Sequence, residues 1–304
     1  MTPCIACLQG CVANMYAGNP ICCLTNPFLG HEAEPIAKTE NPKKVMVIGG
    51  GVAGLCAAFI AKEKGHEVTL YEAGDVLGGN MRLAAYPPGK GDITNMIRSY
   101  IHRCQKDGVK IVMNCEVTPE LIKEEKPDSV IIATGSKTLI LPIEGIDNPA
   151  IIHGSDLLDG KRPAGKKVLV VGGGMVGCET AAFLGEQEHD VTVIEFRDTV
   201  GADVIHEHRV YLMKDFEDYG IKEITGAKVC KFYEDGVEYE TADGVRHETR
   251  GYDSVILSMG FRNYNPLEEK IKDLVPETHV IGDAIRARRA LDATKEAYEV
   301  ASRL

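Results

Sequence analysis

The sequence has 304 residues, of which 44% are hydrophobic and 26% charged, and its formal net charge is −11. This length predicts two or three domains. The acidic balance argues against a nucleic-acid or anionic-membrane surface, because both favour clustered Lys and Arg. A membrane span needs a run of about 18 apolar residues, and we see no such run and no signal-peptide pattern. We therefore expect a cytoplasmic protein.

The N-terminal segment is rich in cysteine, and in a reducing compartment such clusters bind metals more often than they form disulfides. Cys4, Cys7, Cys11 and Cys23 follow the spacing C-x2-C-x3-C-x11-C. Three close thiolates and one distant thiolate suit an iron–sulfur cubane. Zinc stays open as an alternative, although zinc ribbons usually carry two separated C-x2-C pairs. We interpret Cys22 as a packing residue or a substitute ligand.

The chain then repeats itself, because residues 44–75 and 167–198 align without a gap. Each copy predicts a buried strand, a G-x-G-x-x-G turn, a helix and a second strand that ends in Glu. The matching residues are Gly49, Gly51, Gly54 and Glu72 in the first copy and Gly172, Gly174, Gly177 and Glu195 in the second.

This strand, glycine turn, helix and second strand are the elements of a dinucleotide-binding site. The first glycine permits a tight turn, the second lets the backbone approach a pyrophosphate, and the third lets helix and strand pack closely. The helix N-terminus attracts the phosphates, and the Glu accepts a hydrogen bond from a ribose hydroxyl. The sequence therefore predicts two dinucleotide sites.

Four further stretches accompany the repeat: GDVLGGNMRLAAYPPGKGD (74–92), VIIATG (130–135), VILSMG (255–260) and HVIGDA (279–284). Together with the repeat they resemble the flavoproteins that bind two dinucleotides. The resemblance implies FAD at the first copy, with Asp283 on the ribityl chain, and NADH or NADPH at the second, with Glu179 facing the nicotinamide. Further cofactor-binding positions predicted on this basis are Gly79, Asn80, Thr134, Gly135, Gly260 and Gly282.

The choice between NADH and NADPH depends on the residues at the end of the second copy. An acid at Glu195 suits the free 2′-hydroxyl of NADH and repels the 2′-phosphate of NADPH. Arg197 leaves NADPH open, because an Arg nearby accommodates that phosphate. We therefore predict NADH.

The cysteine spacing, the stretch Cys23-Leu-Thr-Asn26-Pro27, the GGNMRLAAYPPGKGD stretch and RRALDATKEAYEVA (288–301) resemble the 2,4-dienoyl-CoA reductase and 2-enoate reductase family, relatives of old yellow enzyme. The resemblance covers nearly the whole chain and implies that the four cysteines hold a [4Fe–4S] cluster. It also implies a relay of electrons from NADH through FAD and the cluster to FMN in an N-terminal barrel. The chain has no room for that barrel, so we do not expect it to reduce alkenes alone.

The predicted fold is α/β, with two Rossmann-like dinucleotide-binding domains and an N-terminal cysteine-rich segment. We predict the cluster segment at residues 1–36, a discontinuous FAD domain at 37–141 and 256–304, and an inserted NAD(P)H domain at 142–255. The relay needs no catalytic acid, base or nucleophile from a side chain, and no C-x2-C or C-x4-C pair follows the first copy. We interpret Cys56 and Cys178, on the two dinucleotide-site helices, as small buried residues.

Three rival interpretations stay open. In the first, the chain is a binding module that holds ADP without turnover. In the second, it is a free-standing diaphorase that passes electrons to a quinone, a dye or a separate protein. The third is a relative of the small subunit of glutamate synthase, whose N-terminus usually carries more cysteines.

Overall fold

The structure is a computed structural model that describes residues 2–304. Its strands are β1 (Lys44–Ile48), β2 (Glu67–Tyr71), β3 (Lys110–Val112), β4 (Ser129–Ile132), β5 (Ser136–Thr138), β6 (Ile152–His153), β7 (Lys167–Val171), β8 (Asp190–Ile194), β9 (Lys222–Ile224), β10 (Lys228–Tyr233), β11 (Gly236–Glu240), β12 (Arg246–Thr249), β13 (Ser254–Leu257), β14 (Phe261–Asn263) and β15 (Glu277–Val280).

The helices are α1 (Val12–Tyr16), α2 (Val52–Glu63), α3 (Asn80–Leu83), α4 (Ile93–Lys106), α5 (Pro119–Glu125), α6 (Gly154–Leu158), α7 (Met175–Glu186), α8 (His206–Asp218), α9 (Glu268–Ile271) and α10 (Ala290–Ala301). A 3₁₀ turn covers Gly282–Ala284. No helix within residues 2–304 is long and apolar enough to cross a membrane.

The chain divides into two compact units. The first unit comprises the chain through Ala85, Asp92–Lys137 and Arg262–Leu304, and the second comprises Tyr86–Gly91 and Thr138–Phe261. Tyr86–Gly91 thus groups with the second unit although both of its flanks belong to the first. The domain boundaries expected from the sequence stay a prediction.

The first unit is built on a five-stranded parallel sheet with the order β15-β4-β1-β2-β3. The central strand β1 is buried along almost its whole length, as expected for a parallel strand with helices on both faces. Helix α2 is buried from Val52 to Ala61 and lies in the main core with α4 and α10. The last strand and the last helix of this unit come from the end of the chain.

The second unit repeats the plan in a five-stranded parallel sheet with the order β6-β13-β7-β8-β9. An antiparallel three-stranded sheet, β10-β11-β12, is inserted between β9 and β13. The predicted α/β class with two Rossmann-like parallel sheets is confirmed. The antiparallel insertion was outside the sequence prediction.

Candidate functional site

The two glycine turns have the same geometry in both units. Gly49 has φ +111° and Gly172 has φ +106°, a backbone region that favours glycine. A Cβ on Gly49 would lie 2.3 Å from the carbonyl oxygen of Ala133, and one on Gly172 would lie 2.4 Å from that of Ser258. Each turn therefore leaves no space for a side chain where the first strand meets its neighbour.

The third glycine of each motif also fits only without a side chain. A Cβ on Gly54 would lie 1.9 Å from the carbonyl oxygen of Gly49, and one on Gly177 would lie 1.8 Å from that of Gly172. Because the obstacle is backbone in both cases, any larger residue would push the helix away from the turn. The close packing that the sequence predicts is present in both units.

The two glutamates that end the second strands also occupy matching positions. In the first unit, the Glu72 carboxylate accepts hydrogen bonds from the backbone N–H of Gly50 and of Gly74, both at 2.7 Å. In the second, Glu195 accepts from Gly173 at 2.6 Å and from Arg197 at 2.9 Å. Each carboxylate oxygen accepts one bond, so lone pairs remain for a further donor. Each carboxylate therefore fits the ribose role proposed for it.

The N-termini of α2 and α7 differ in their surroundings. A Cβ on Gly51, the residue before α2, would meet only the Cα of Gly79 at 4.0 Å. At the start of α7, by contrast, Asp203 accepts a hydrogen bond of 2.8 Å from the backbone N–H of Met175, the first residue of the helix. The first helix start is an open cradle that fits a diphosphate, whereas the second already holds a carboxylate.

A polar network joins three separate parts of the first unit. Asn80 Nδ2 donates to Ser136 Oγ at 3.3 Å, and Ser136 Oγ donates to Asp283 Oδ2 at 2.9 Å. The backbone N–H of Gly282 donates to Glu296 Oε2 at 2.7 Å. Asn80 and Asp283 are thus brought together by a serine that no sequence motif predicted.

Two of the remaining predicted glycines, Gly135 and Gly260, lie beside open space, whereas a Cβ on Gly79 would lie 3.2 Å from the Cα of Gly51 and one on Gly282 would lie 3.1 Å from the Cβ of Ala53. A Cβ on Gly135 or on Gly260 would find nothing within 4 Å, and both residues have positive φ. Thr134 Oγ1 donates to the carbonyl oxygen of Tyr264, and the backbone N–H of Tyr264 donates to the carbonyl of Gly135 at 2.9 Å. A backbone edge is therefore left for a ligand to approach.

Glu179 lies in α7 and is buried, with a residue exposure of 8%. Its Oε1 is paired with Lys90 Nζ. Lys90 belongs to the stretch 74–92, but nothing in the sequence pattern predicts a role for it.

The predicted cluster ligands lie in the first unit. Burial raises the pKa of Cys7, and the nearby thiols of Cys23, Cys11 and Cys4 raise that pKa further. The other three predicted ligands are therefore close enough to Cys7 to act on its charge. Within residues 2–304, however, no three metal-binding side chains are arranged to hold a metal ion. The cluster stays a prediction.

Tyr100 joins the cysteine segment to the core of the first unit, and a backbone hydrogen bond lies within the segment itself. Tyr100, buried on α4, donates through its hydroxyl to the carbonyl oxygens of Leu24 at 3.0 Å and Thr25 at 3.3 Å. The backbone N–H of Cys22 donates to the carbonyl of Gly10 at 2.9 Å. The residues that follow Cys23 are therefore anchored to the core of the first unit.

The cysteines of the two dinucleotide-site helices are buried, as predicted. Cys56 and Cys178 have no exposed surface. Burial raises the pKa of Cys178 to about 12 and raises that of Cys56 even more. Burial therefore favours the protonated form of both thiols, which is a much poorer nucleophile than the thiolate.

Comparison with known proteins identifies the arrangement. The family model described as pyridine nucleotide-disulphide oxidoreductase matches residues 43–281. The chain belongs to this family. Its class is that of the NAD(P)H-dependent flavin oxidoreductases, which agrees with the two dinucleotide sites that the sequence predicts.

Individual relatives confirm the predicted relationship to the 2-enoate and dienoyl-CoA reductases. The chain is 32% identical to a "Metal reductase" of Desulforamulus reducens, and the alignment covers 98% of the chain and 50% of that relative. It is 33% identical to a "Cinnamate reductase" of Clostridium sporogenes, and the alignment covers 99% of the chain and 45% of that relative. The solved structure of a 2-naphthoyl-CoA reductase in complex with 2-naphthoyl-CoA is similar to this chain, with 32% identity and a TM-score of 0.94. The match covers 99% of this chain and 46% of the solved one. The chain thus spans about half the length of the relatives that it matches.

Proposed function

We propose that the chain is the electron-input module of a reductase. It takes a hydride from NAD(P)H and delivers single electrons, through its N-terminal cysteine segment, to an acceptor that is not part of residues 1–304. The observation that carries this proposal is the duplication of one glycine-and-glutamate arrangement in two units. Two dinucleotides on one chain suit a protein that moves electrons from one of them to the other.

We propose that the first unit binds FAD. Gly49, Gly51 and Gly54 would hold the diphosphate at the start of α2, and Glu72 would accept from the adenosine ribose. Asp283 would bind the ribityl chain, supported by the Ser136 hydroxyl that donates to it. Gly79, Asn80, Thr134, Gly135 and Gly282 would line the same site.

We propose that the second unit binds the nicotinamide dinucleotide, with Gly172, Gly174 and Gly177 at the diphosphate and Glu195 at the ribose. The diphosphate would take the place of the Asp203 carboxylate at the backbone N–H of Met175. Gly260 and Glu179 would lie beside the nicotinamide half. NADH is the proposed substrate, because a carboxylate at the ribose repels a 2′-phosphate. The predicted domains, 37–141 with 256–304 for FAD and 142–255 for NAD(P)H, belong to this proposal.

We propose a [4Fe–4S] cluster on Cys4, Cys7, Cys11 and Cys23, within the segment 1–36. The support is their spacing and the closeness of Cys4, Cys11 and Cys23 to Cys7, whose pKa their thiols raise in addition to burial. When bound, FAD and NAD(P)H supply hydride chemistry, and the cluster supplies one-electron transfer. The protein's part is to hold the groups in place and to exclude water. We propose no catalytic acid or base.

The acceptor is the part of the proposal that lies outside this chain. The relatives named metal reductase, cinnamate reductase and 2-naphthoyl-CoA reductase differ in the substrate that their names give. All three share the half that this chain matches, so we propose that substrate choice belongs to the other half. The proposed partner is a barrel domain or subunit that contains FMN.

The test is an anaerobic visible spectrum of the purified chain before and after NADH, with iron, sulfide and FAD measured per chain. Flavin bands that bleach together with a broad cluster absorption would support the full proposal. Flavin bands without iron would keep the NADH–FAD half and refute the cluster. A colourless chain that binds ADP would refute the electron-transfer function.

A further inference from the structure

The two copies of the repeat stay equivalent beyond the glutamates that end their second strands. Continued to residues 80 and 203, the alignment without a gap pairs Asn80 with Asp203. In both units one backbone hydrogen bond ties this stretch to the glycine turn. Its donor and acceptor are Gly78 and Gly50 at 2.8 Å in the first unit, and Gly201 and Gly173 at 2.7 Å in the second. Asn80 and Asp203 therefore end equivalent loops, one in each unit.

In the second unit this position carries a charge that lies on the helix start. Asp203 Oδ1 accepts a hydrogen bond of 2.8 Å from the backbone N–H of Met175, the first residue of α7. A Cβ on Gly174, the residue before the helix, would lie 3.4 Å from Asp203 Oδ2. Both carboxylate oxygens are thus close to the glycine and the N–H that the second copy presents to a diphosphate.

In the first unit the same position is neutral and is engaged elsewhere. Asn80 Nδ2 donates to Ser136 Oγ at 3.3 Å. A Cβ on Gly51, the residue before α2, would have no neighbour closer than 4.0 Å. The first copy therefore leaves space at its helix start, whereas the second copy covers its helix start with a carboxylate.

A helix N-terminus offers its free N–H groups and its dipole to one anion at a time. The Asp203 carboxylate and a dinucleotide diphosphate are both anions, so they compete for the start of α7. A bound diphosphate also has the displaced carboxylate beside it as a like charge. Both effects lower the affinity and speed release. They suit a dinucleotide that enters and leaves in each turnover, and the open start of α2 suits one that stays bound.

We propose that Asp203 keeps the nicotinamide dinucleotide exchangeable by competing with its diphosphate for the start of α7. This inference rests on the proposed function, because it requires NAD(P)H to bind the second unit. Asp203 sets the affinity and the release rate of the dinucleotide and takes no part in hydride transfer.

The test removes the charge and keeps a group that caps the helix. Asp203→Asn retains an oxygen that accepts from the Met175 N–H, and it gives the second copy the residue type of the first. Binding of NAD⁺ to the oxidised full chain with its flavin is measured by calorimetry, and its release by stopped-flow. We expect NAD⁺ to bind about fivefold more tightly, the size of one charge at a helix terminus, mainly through slower release. The gain should shrink as salt is added.

Three controls isolate the diphosphate. Adenosine, which has no phosphate and is measured by competition with NAD⁺, should bind the original chain and Asp203→Asn equally. Asp243→Asn removes the same charge from the exposed turn between β11 and β12, where Asn-Gly serves as well as Asp-Gly, and should leave NAD⁺ affinity unchanged. Asp203→Ser is also neutral and also caps helices, so it should tighten NAD⁺ binding even if Asp203→Asn folds poorly.

The outcomes separate the inference from the proposed function. If both neutral variants leave NAD⁺ affinity unchanged or weaken it, Asp203 does not compete with the diphosphate. If adenosine tightens as much as NAD⁺, the change does not act at the diphosphate, and the inference is overturned as well. If the original chain does not bind NAD⁺ and NADH does not reduce its flavin, the proposed function itself fails, and this inference fails with it.

Discussion

The duplicated glycine turns allow one substitution to be made twice, once for each cofactor. In Gly54→Ala the new methyl would lie 1.9 Å from the Gly49 oxygen, and in Gly177→Ala it would lie 1.8 Å from the Gly172 oxygen. Ordinary contact needs about 3.5 Å, so each helix start has to move by roughly 1.6 Å. Overpacking of this kind costs about 1–3 kcal/mol in the free energy of unfolding.

The displaced helix start also loses its alignment with the diphosphate. One charge-assisted hydrogen bond is worth about 1.5–3 kcal/mol, or roughly a 10- to 100-fold loss of affinity. We expect Gly54→Ala to lose FAD during purification. We expect Gly177→Ala to keep its FAD and to bind NADH at least about tenfold more weakly.

The assay measures FAD per chain from the visible spectrum. It measures the affinity for NAD⁺, which has the same adenosine and diphosphate as NADH, by titration of the oxidised protein. Each variant is the control for the other, because the new methyl and the obstacle are the same. If Gly177→Ala loses FAD while its NAD⁺ affinity is normal, the assignment of the two cofactors is reversed. If both variants lose FAD equally, the two turns do not serve separate ligands.

Three other experiments test the remaining features. Tyr100→Phe removes the donor to two backbone carbonyls, so the free energy of unfolding should fall by about 1–3 kcal/mol and the iron content should fall with it. The control Tyr16→Phe changes a residue that is 76% exposed and should alter neither quantity. Equal iron content in both variants would contradict this prediction. Because burial raises the pKa of Cys104 and Cys178 to about 12, both thiols stay protonated at pH 8, and peptide mapping should find them unlabelled by iodoacetamide until urea is added. Glu195→Gln should raise the KM for NADH about tenfold with little change for NADPH, and an unchanged ratio of the two KM values would argue against a ribose contact.

The sequence predicted the parts of the site that are local. The glycine turns, the strands and the two glutamates lie within short stretches, where the need for a tight turn and a close helix start restricts the residue type directly. Gly49 and Gly172 have the positive φ that this pattern requires. Repetition of the pattern made the prediction stronger than one copy would have been.

The parts that were missed depend on contacts between distant residues. Ser136 acts on Asp283, and Lys90 pairs with Glu179, across separations that no local pattern records. Glu296, which accepts from the Gly282 amide, looks like any polar residue of an amphipathic helix. Serine, lysine and glutamate are common on surfaces, so their residue types alone carried no signal.

The order of strands in the first sheet also has a consequence for synthesis. Its edge strand β15 pairs with β4, and α10 belongs to its core, yet both follow the whole second unit along the chain. During translation the second unit has all of its residues once Phe261 has emerged, whereas the first unit waits for its own final strand and helix. The ribosome therefore releases a chain whose inserted half can already be folded and whose enclosing half closes last. Loading of the cluster proposed for the N-terminal cysteines would follow that closure, because Tyr100, which anchors the segment through the carbonyls of Leu24 and Thr25, lies in the same core as α10.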